Sequence, residues 1–158
     1  MEFKKYLDKK VSSLKGKNIL ITGANSGLGY SLSLQASYKG ANVYMACRNK
    51  QRAQYAIEKI KKEVPNAKLI FLEYDQASFK SIKKFVNKLS SLKIKIDFMV
   101  LNAGIYRPKK NKKTEDGFPL TCGTNYLGEF YLVKLLDKLI MKEKINVVFN
   151  KFKVIYIV

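Results

Sequence analysis

The chain has 158 residues, enough for one domain with a buried core, and its 47% hydrophobic and 27% charged residues are typical of a globular protein. No apolar run approaches the roughly 20 residues of a membrane-spanning helix, and the N-terminus has no apolar stretch typical of a signal peptide, so we expect a cytoplasmic protein. With no histidine, and with Cys47 and Cys122 as the only thiols, we expect neither a metal site nor histidine-based catalysis.

The net charge of +19 is the most unusual bulk property and raises the question of a nucleic-acid or anionic-membrane partner. The lysines, however, are scattered over nearly every segment, and only three basic residues are Arg, the residue best suited to bidentate phosphate recognition. The tightest cluster, RPKKNKK at 107–113, is typical of a solvated loop. We therefore expect no specific nucleic-acid partner.

Short apolar runs alternate with longer amphipathic stretches along the chain. In chain order the pattern predicts strand 18–22, helix 27–39, strand 42–47, helix 50–64, strand 68–74, helix 77–89, strand 96–101, helix 118–141 and strand 153–158. Gly40 is placed to end the first helix and Pro65 to stop the second. Apolar runs without polar alternation favour strands buried on both faces, so we predict the α/β class, a doubly wound parallel sheet of five strands in a single domain spanning 1–158.

The stretch ITGANSGLG, residues 21–29, follows the first predicted strand and opens the first predicted helix. Glycines in this context permit a tight turn, a close approach of the backbone to a pyrophosphate, and close packing of the helix on the sheet. The helix N-terminus then offers unpaired N–H groups and a positive dipole to the phosphates. The spacing T-G-x-x-x-G-x-G therefore predicts a dinucleotide site that comprises Thr22, Gly23, Asn25, Ser26, Gly27, Leu28 and Gly29.

The end of the second predicted strand bears on which nicotinamide cofactor fits. A free ribose 2′-OH is usually held by Asp or Glu at this position, whereas an Arg accommodates a 2′-phosphate. Here Cys47 is followed by Arg48, Asn49 and Lys50, with no carboxylate. This pattern favours NADP(H) over NAD(H), with Arg48 as the phosphate-binding residue.

Four stretches together resemble the short-chain dehydrogenase/reductase family: TGANSGLG at 22–29, YDQAS at 74–78, LNAG at 101–104 and TEDGFPLTCGTNYLGEFYLV at 114–133. The last is most similar to the retinol-dehydrogenase-like and WW-domain-oxidoreductase-like branch. The resemblance implies a Rossmann fold, an adenine contact from Asp75 and a ribose contact from Asn102, Ala103 and Gly104. It also implies that Asn125 is the family's active-site Asn, which helps hold a water-linked proton relay.

The resemblance also implies a catalytic Ser after the fifth strand and a Y-x-x-x-K pair about a dozen residues later. Neither has a match at its family position, so we expect a Rossmann domain truncated after the fifth strand. Three other pairs fit the spacing: Tyr6/Lys10, Tyr55/Lys59 and Tyr106/Lys110. They lie before the first strand, on the second helix and in the loop after the fourth strand, where no side chain is expected to reach a nicotinamide.

The resulting hypothesis is an NADP(H)-dependent oxidoreductase of the short-chain type that acts on a small carbonyl or alcohol substrate, with its catalytic Ser and Tyr-x-x-x-Lys missing from this chain. The first alternative is a non-catalytic NADP(H)-binding or scaffold protein, and the second is a basic nucleic-acid-binding module. The resemblance is compatible with a homo-oligomer in a full-length form. Neither the residues nor the resemblance names the substrate.

Overall fold

The computed structural model describes residues 2–106, 108 and 112–149. Its strands are β1 Asn18–Thr22, β2 Asn42–Cys47, β3 Lys68–Glu73, β4 Phe98–Leu101 and β5 Asn146–Phe149. Its helices are α1 Glu2–Lys10, α2 Gly27–Tyr38, α3 Lys50–Glu63, α4 Phe79–Ser91, α5 Leu120–Cys122 and α6 Glu129–Glu143. A π-helical turn, Gly123–Gly128, joins α5 to α6.

The five strands form one parallel sheet in the order β3-β2-β1-β4-β5. Because the strands are parallel, all of their carboxyl ends lie at the same edge. The chain leaves β1 toward β2 on one side and later returns to β4 on the other, so the strand order reverses between β1 and β4. Ligands of open α/β sheets bind at the carboxyl edge near such a reversal.

Side chains alternate between the two faces of the sheet, and each face is covered by its own helices. On one face Leu20 and Met99 pack with Phe85 of α4 and Leu132 of α6. The other face carries a second apolar cluster, which includes Ile21, Val43, Met45, Ala53 and Ile57 and so packs the sheet against α2 and α3. The predicted doubly wound α/β architecture of the Rossmann type is confirmed.

The position of the fifth strand was predicted wrongly. Residues 153–158 lie outside the described part of the chain, and the strand that pairs with β4 is Asn146–Phe149, in register from Phe98 with Asn146. Helix α6 ends at Glu143, and its capping residue Lys144 has the left-handed conformation (φ 54°), which directs the chain into β5 after a single intervening residue. The run NVVF is short, and the longer apolar run that follows it gave the stronger strand signal in the sequence.

Two further elements differ from the prediction. Helix α1 was not predicted; its Leu7 is buried, and its Asp8 accepts hydrogen bonds from Lys39 Nζ (3.0 Å) and Tyr38 Oη (3.2 Å). The fourth predicted helix is interrupted by the π-helical turn. Among the described residues, no helix is long and apolar enough to cross a membrane.

Candidate cofactor-binding site

The ends of β1 and β4 are locked together where the strand order reverses. Thr22 Oγ1 accepts hydrogen bonds from the backbone N–H groups of Asn102 and Ala103, both at 2.9 Å. The Asn102 side chain returns a bond from Nδ2 to the Thr22 carbonyl, also at 2.9 Å. Thr22 and Asn102 therefore hold the glycine-rich loop against the loop that follows β4.

The three glycines of the loop meet different surroundings. Gly23 has a φ of +64°, and a Cβ there would lie 3.0 Å from Ala103 Cα. A Cβ on Gly29 would overlap the Gly23 carbonyl oxygen and lie 2.6 Å from Asn102 Nδ2. Gly27, with a φ of +53°, has no atom within 4 Å of the place a Cβ would take. Two glycines thus permit internal packing, whereas Gly27 faces open space at the start of α2.

Helix α2 begins differently from its neighbours. Asn49 caps α3 by accepting from the Arg52 N–H, and Ser78 caps α4 by accepting from the Ser81 N–H. Ser26, at the same position of α2, makes no side-chain capping bond. Since the first N–H groups of a helix have no intrahelical partner, α2 presents free donors beside the open space at Gly27.

Cys47, the last residue of β2, lies beneath this loop. Burial raises the pKa of its thiol to about 11, although the backbone N–H groups of Ala24 and Asn25, which face the sulfur, act in the opposite direction. The thiol is therefore neutral at physiological pH and supports the loop rather than acting as a nucleophile. Cys122 is exposed, and both cysteines are free.

Arg48 and Asp75 face each other across the ends of β2 and β3. The guanidinium Nη1 lies 3.8 Å from Asp75 Oδ2, and the side chains are 71% and 32% exposed. Asp75 is held in place because its Oδ1 accepts from the Ala77 N–H at 2.9 Å and its own N–H donates to Ser81 Oγ at 2.9 Å. The positive charge of Arg48 is thus partly balanced before any ligand binds.

A second cation lies beside the glycine-rich loop. An open cavity of about 420 Å³ separates this loop from the first turns of α3 and is lined by Asn25, Ser26, Gln51, Arg52 and Tyr55. The lining contains no carboxylate. Arg52 was not singled out from the sequence, where it is one of 31 basic residues.

Asn125 lies inside the π-helical turn and contacts the loop after β4. Its Oδ1 accepts from the Ile105 N–H at 2.8 Å, and its Nδ2 donates to the Ile105 carbonyl at 2.9 Å. A Cβ on Gly104 would lie 3.3 Å from Asn125 Oδ1. The loop that follows β4 therefore joins two groups of predicted site residues, those at the end of β1 and Asn125.

Gln76 is a buried polar residue that the sequence analysis did not identify. It lies in the loop between β3 and α4. Its side chain donates hydrogen bonds to backbone carbonyls in the loop that follows β4 and in the π-helical turn. The stretch YDQAS marked the loop but gave no signal for these contacts, because the partners are 27 and 48 residues away.

The predicted residues that follow β1, β2, β3 and β4 all lie along the carboxyl edge of the sheet. Of the three rejected pairs, Tyr55 and Lys59 lie on α3, with Lys59 Nζ 5.7 Å from the Tyr55 ring centroid. The side chain of Tyr6, all of Lys110 and most of the basic cluster at 107–113 lie outside the described part of the chain. Within the described ranges, no group of three or more potential metal ligands is found.

The fold and this edge define a Rossmann-type protein, and comparison with known proteins gives the family. The family model for short chain dehydrogenases matches residues 17–150. The chain therefore belongs to the short-chain dehydrogenase family, and the resemblance inferred from its motifs is confirmed.

Curated relatives agree with this assignment. The chain is 41% identical over 133 residues to a short-chain dehydrogenase/reductase of Phomopsis amygdali, which covers 83% of this chain and 40% of that protein. It is 38% identical to retinol dehydrogenase 13 of Mus musculus, with 81% and 38% covered, and 38% identical to the WW domain-containing oxidoreductase of Gallus gallus, with 82% and 31% covered. The chain thus spans at most 40% of the length of these relatives.

Solved structures show the same fold. An uncharacterized protein from Mycobacterium paratuberculosis is 30% identical, with a TM-score of 0.69, 82% of this chain covered and 45% of that one. The structure described as an NADP active-site complex of RhlG from Pseudomonas aeruginosa is 20% identical, with a TM-score of 0.67 and 83% and 50% covered. At the latter identity, the likeness supports the fold alone.

Proposed function

We propose that residues 1–158 form one NADP(H)-binding domain of a short-chain-type oxidoreductase that interconverts a small carbonyl compound and its alcohol. The observation that carries this proposal is the uncapped N-terminus of α2, which faces the open space beside Gly27. A dinucleotide fits this arrangement because its pyrophosphate needs N–H donors and a close approach of the backbone. The bound nicotinamide would supply or accept the hydride.

The chain's own residues would divide the work of holding the cofactor. The N–H groups of Gly27, Leu28 and Gly29 would receive the pyrophosphate, while Thr22 fixes the loop from below. The Asp75–Arg48 pair would flank the adenine, and residues 102–104 would lie along the adenosine ribose. Asn125 would help hold a water-linked proton relay, as the resemblance to the family implies.

The preference for NADP(H) is supported by two cations and by the charge around them. Arg48 faces Asp75 at 3.8 Å, whereas the cavity that Arg52 lines contains no carboxylate. A 2′-phosphate in this cavity would meet Arg52 together with the polar side chains of Asn25 and Ser26. We therefore propose that Arg52 is the main counter-ion of the 2′-phosphate and that Arg48 assists it.

One observation favours the alternative of cofactor binding without turnover for the chain as given. The residues after β5, 150–158, contain neither a Ser nor a Tyr-x-x-x-Lys pair. Since the family places its proton donor and substrate-positioning hydroxyl beyond this strand, we propose that these 158 residues bind NADP(H) but reduce no carbonyl by the family mechanism.

Titration of the chain with NADPH and NADH, followed by cofactor fluorescence, tests the proposal. We expect NADPH to bind at least about tenfold more tightly than NADH, because a hydrogen bond to a charged group contributes about 1.5–3 kcal/mol. Arg52→Ala should remove most of this difference by weakening NADPH alone. Lys61→Ala removes one charge from the same helix outside the cavity and should change neither affinity by more than about twofold.

Three results would contradict the proposal in separate ways. Failure of the wild-type chain to bind either cofactor would exclude the dinucleotide site. Equal affinity for both cofactors would exclude the 2′-phosphate preference. A loss of affinity in Arg52→Ala that is equal for NADPH and NADH would show that Arg52 does not read the 2′-phosphate.

A further inference from the structure

Gln76 is 4% exposed and uses both ends of its carboxamide. Its Oε1 accepts a hydrogen bond from Tyr74 Oη at 3.0 Å. Its Nε2 donates to the carbonyl of Ala103 at 3.1 Å and to the carbonyl of Thr124 at 2.7 Å. A single side chain thus connects the end of β3, the loop after β4 and the π-helical turn.

The orientation of this carboxamide follows from its partners. The two carbonyl oxygens can only accept, so the NH₂ group must face them and the oxygen must face Tyr74. Burial, assisted by the negative charges of Glu129 and Asp75, raises the pKa of Tyr74 above its ordinary value. The phenol therefore stays protonated and donates to Oε1 over the physiological pH range.

The π-helical turn contacts the Gln76 residue on both sides of Asn125. Before Asn125, the Thr124 carbonyl accepts from Gln76 Nε2. After it, Gly128 packs so closely on the Gln76 backbone that a Cβ there would overlap the Gln76 carbonyl oxygen. A change from π-helical to α-helical spacing shifts the positions that follow by one residue, or about 100° around the axis. These contacts therefore bear directly on where Asn125 points.

We propose that Gln76 is a positioning residue: its Nε2 bonds to the Thr124 and Ala103 carbonyls hold the π-helical turn in the register that pairs Asn125 with Ile105. Without this donor, two carbonyl groups would lose a buried partner, and a return to α-helical spacing would turn Asn125 away from Ile105. The effect of Gln76 on catalysis rests on the proposed function, because Asn125 matters to catalysis only if the protein is an oxidoreductase. The geometric claim is independent of it.

Amide hydrogen exchange of the full 158-residue chain, measured by NMR, tests the claim. The Ile105 N–H reports on Asn125 because it donates to Asn125 Oδ1. The Asn42 N–H, which donates to the Lys17 carbonyl at 2.8 Å, reports on the sheet away from Gln76. In Gln76→Met, which keeps the length and loses the donor, Ile105 should exchange roughly tenfold faster, and the Asn125 side-chain amide resonances should shift, while exchange at Asn42 stays unchanged.

Two more variants separate the donor from other effects. Tyr74→Phe removes only the bond into Oε1 and should leave the Ile105 exchange rate as it is. Gln76→Leu also removes the donor and introduces no charge, so it should reproduce Gln76→Met. In the wild-type chain, the Gln76 carboxamide protons should themselves exchange slowly, a measurement that holds even if a variant fails to fold.

The proposal is overturned if Gln76→Met leaves Ile105 unchanged, if it speeds exchange at Ile105 and Asn42 alike, or if Tyr74→Phe has the same effect as Gln76→Met. It is also overturned if the wild-type Gln76 carboxamide protons exchange as fast as free amides. Failure of the wild-type chain to bind NADPH would refute the proposed function and leave all of these results intact. The two failures are thus distinguishable.

Discussion

Gly23, Gly27 and Gly29 have the same residue type and different physical duties. Gly29 lies against the Gly23 carbonyl and the Asn102 amide, so its lack of a side chain permits the packing of α2 on the ends of β1 and β4. Gly27 has no neighbour in the place of a Cβ, so its lack of a side chain leaves room for a ligand. Substitutions of these glycines should therefore affect different properties, stability at one position and ligand affinity at the other.

We predict that Gly29→Ala lowers stability and that Gly27→Ala lowers cofactor affinity. In Gly29→Ala the new methyl group must displace backbone, which should cost about 1–3 kcal/mol of the free energy of unfolding. In Gly27→Ala the positive φ should cost about 1 kcal/mol, but the methyl group would stand where the pyrophosphate approaches, so NADPH affinity should fall at least about tenfold.

Urea unfolding and NADPH titration of both variants measure the two effects. If Gly27→Ala binds NADPH as tightly as the wild type, the pyrophosphate does not bind beside Gly27. A Gly29→Ala chain of wild-type stability would show that the contact with Gly23 and Asn102 relaxes without cost.

At this scale the sequence revealed the glycine motif because each requirement is local: three glycines between a strand and a helix define the turn by themselves. Gln76 and Arg52 could not be found in the same way. The partners of Gln76 are brought to it by the fold. Arg52 is a candidate only because the fold places it at the same cavity as the loop residues Asn25 and Ser26.

At the scale of elements, four strands and the helices between them were predicted to within two residues at their ends, because each strand is an apolar run in the sequence. Strands β1 and β2 are buried on both faces, whereas the edge strand β3 is largely exposed and was found from its apolar run alone. The π-helical turn could not be predicted, because it depends on Gln76 and Ile105, which lie outside the helix. Strand β5 was missed because four residues, of which three are apolar, carry too weak a pattern beside the run at 153–158.

The amino ends of the central strands are joined by Asp97, at the opposite edge from the candidate site. Its Oδ2 accepts from the Asn18 N–H at 2.9 Å, and its Oδ1 accepts from Lys17 Nζ at 3.0 Å. Its backbone carbonyl accepts from the Asn146 N–H at 3.1 Å. One residue next to β4 therefore contacts both β1 and β5.

We predict that Asp97→Ala destabilises the sheet without affecting the site. The loss of the Asn18 and Lys17 bonds should cost about 1–2 kcal/mol of the free energy of unfolding. Lys17→Ala removes only the half-exposed ion pair and should cost about 0.5 kcal/mol or less. NADPH affinity should be unchanged in both variants, and a tenfold loss in Asp97→Ala would show that the two edges are coupled.

The effect of Asp97 should depend on pH. The Asn18 N–H, and then Lys17, lower the pKa of Asp97 below its usual 3.8, so the carboxylate stabilises the folded state above that value. This stabilisation is lost as the pH falls through the lowered pKa. The difference between wild type and Asp97→Ala in urea unfolding should therefore be constant near neutral pH and shrink below about pH 4.

At the scale of the whole molecule, the net charge of +19 is not explained by the fold or by the candidate cofactor site. Acidic side chains are few, and some of them are already paired: Asp8 with Lys39, Asp97 with Lys17 and Asp75 with Arg48. A surface with so large an excess of lysine attracts any polyanion at low ionic strength, whatever its sequence. The affinity that results from such non-specific attraction falls more steeply with salt concentration than the affinity of a specific binding site.

We predict that the affinities of the chain for duplex DNA and for NADPH depend differently on salt concentration. DNA held by scattered lysines should lose affinity by a factor of roughly 10³ or more between 50 and 200 mM salt, with no difference between unrelated sequences, because each neutralised phosphate releases counterions. NADPH should lose far less, because it carries few phosphate charges and, in the proposed site, would meet fixed N–H donors as well as one or two arginines. Fluorescence anisotropy of labelled duplexes, beside the NADPH titration, measures both. If DNA binding instead survived 200 mM salt and preferred one sequence, the basic surface would be a recognition surface, and the nucleic-acid alternative would replace a purely metabolic role.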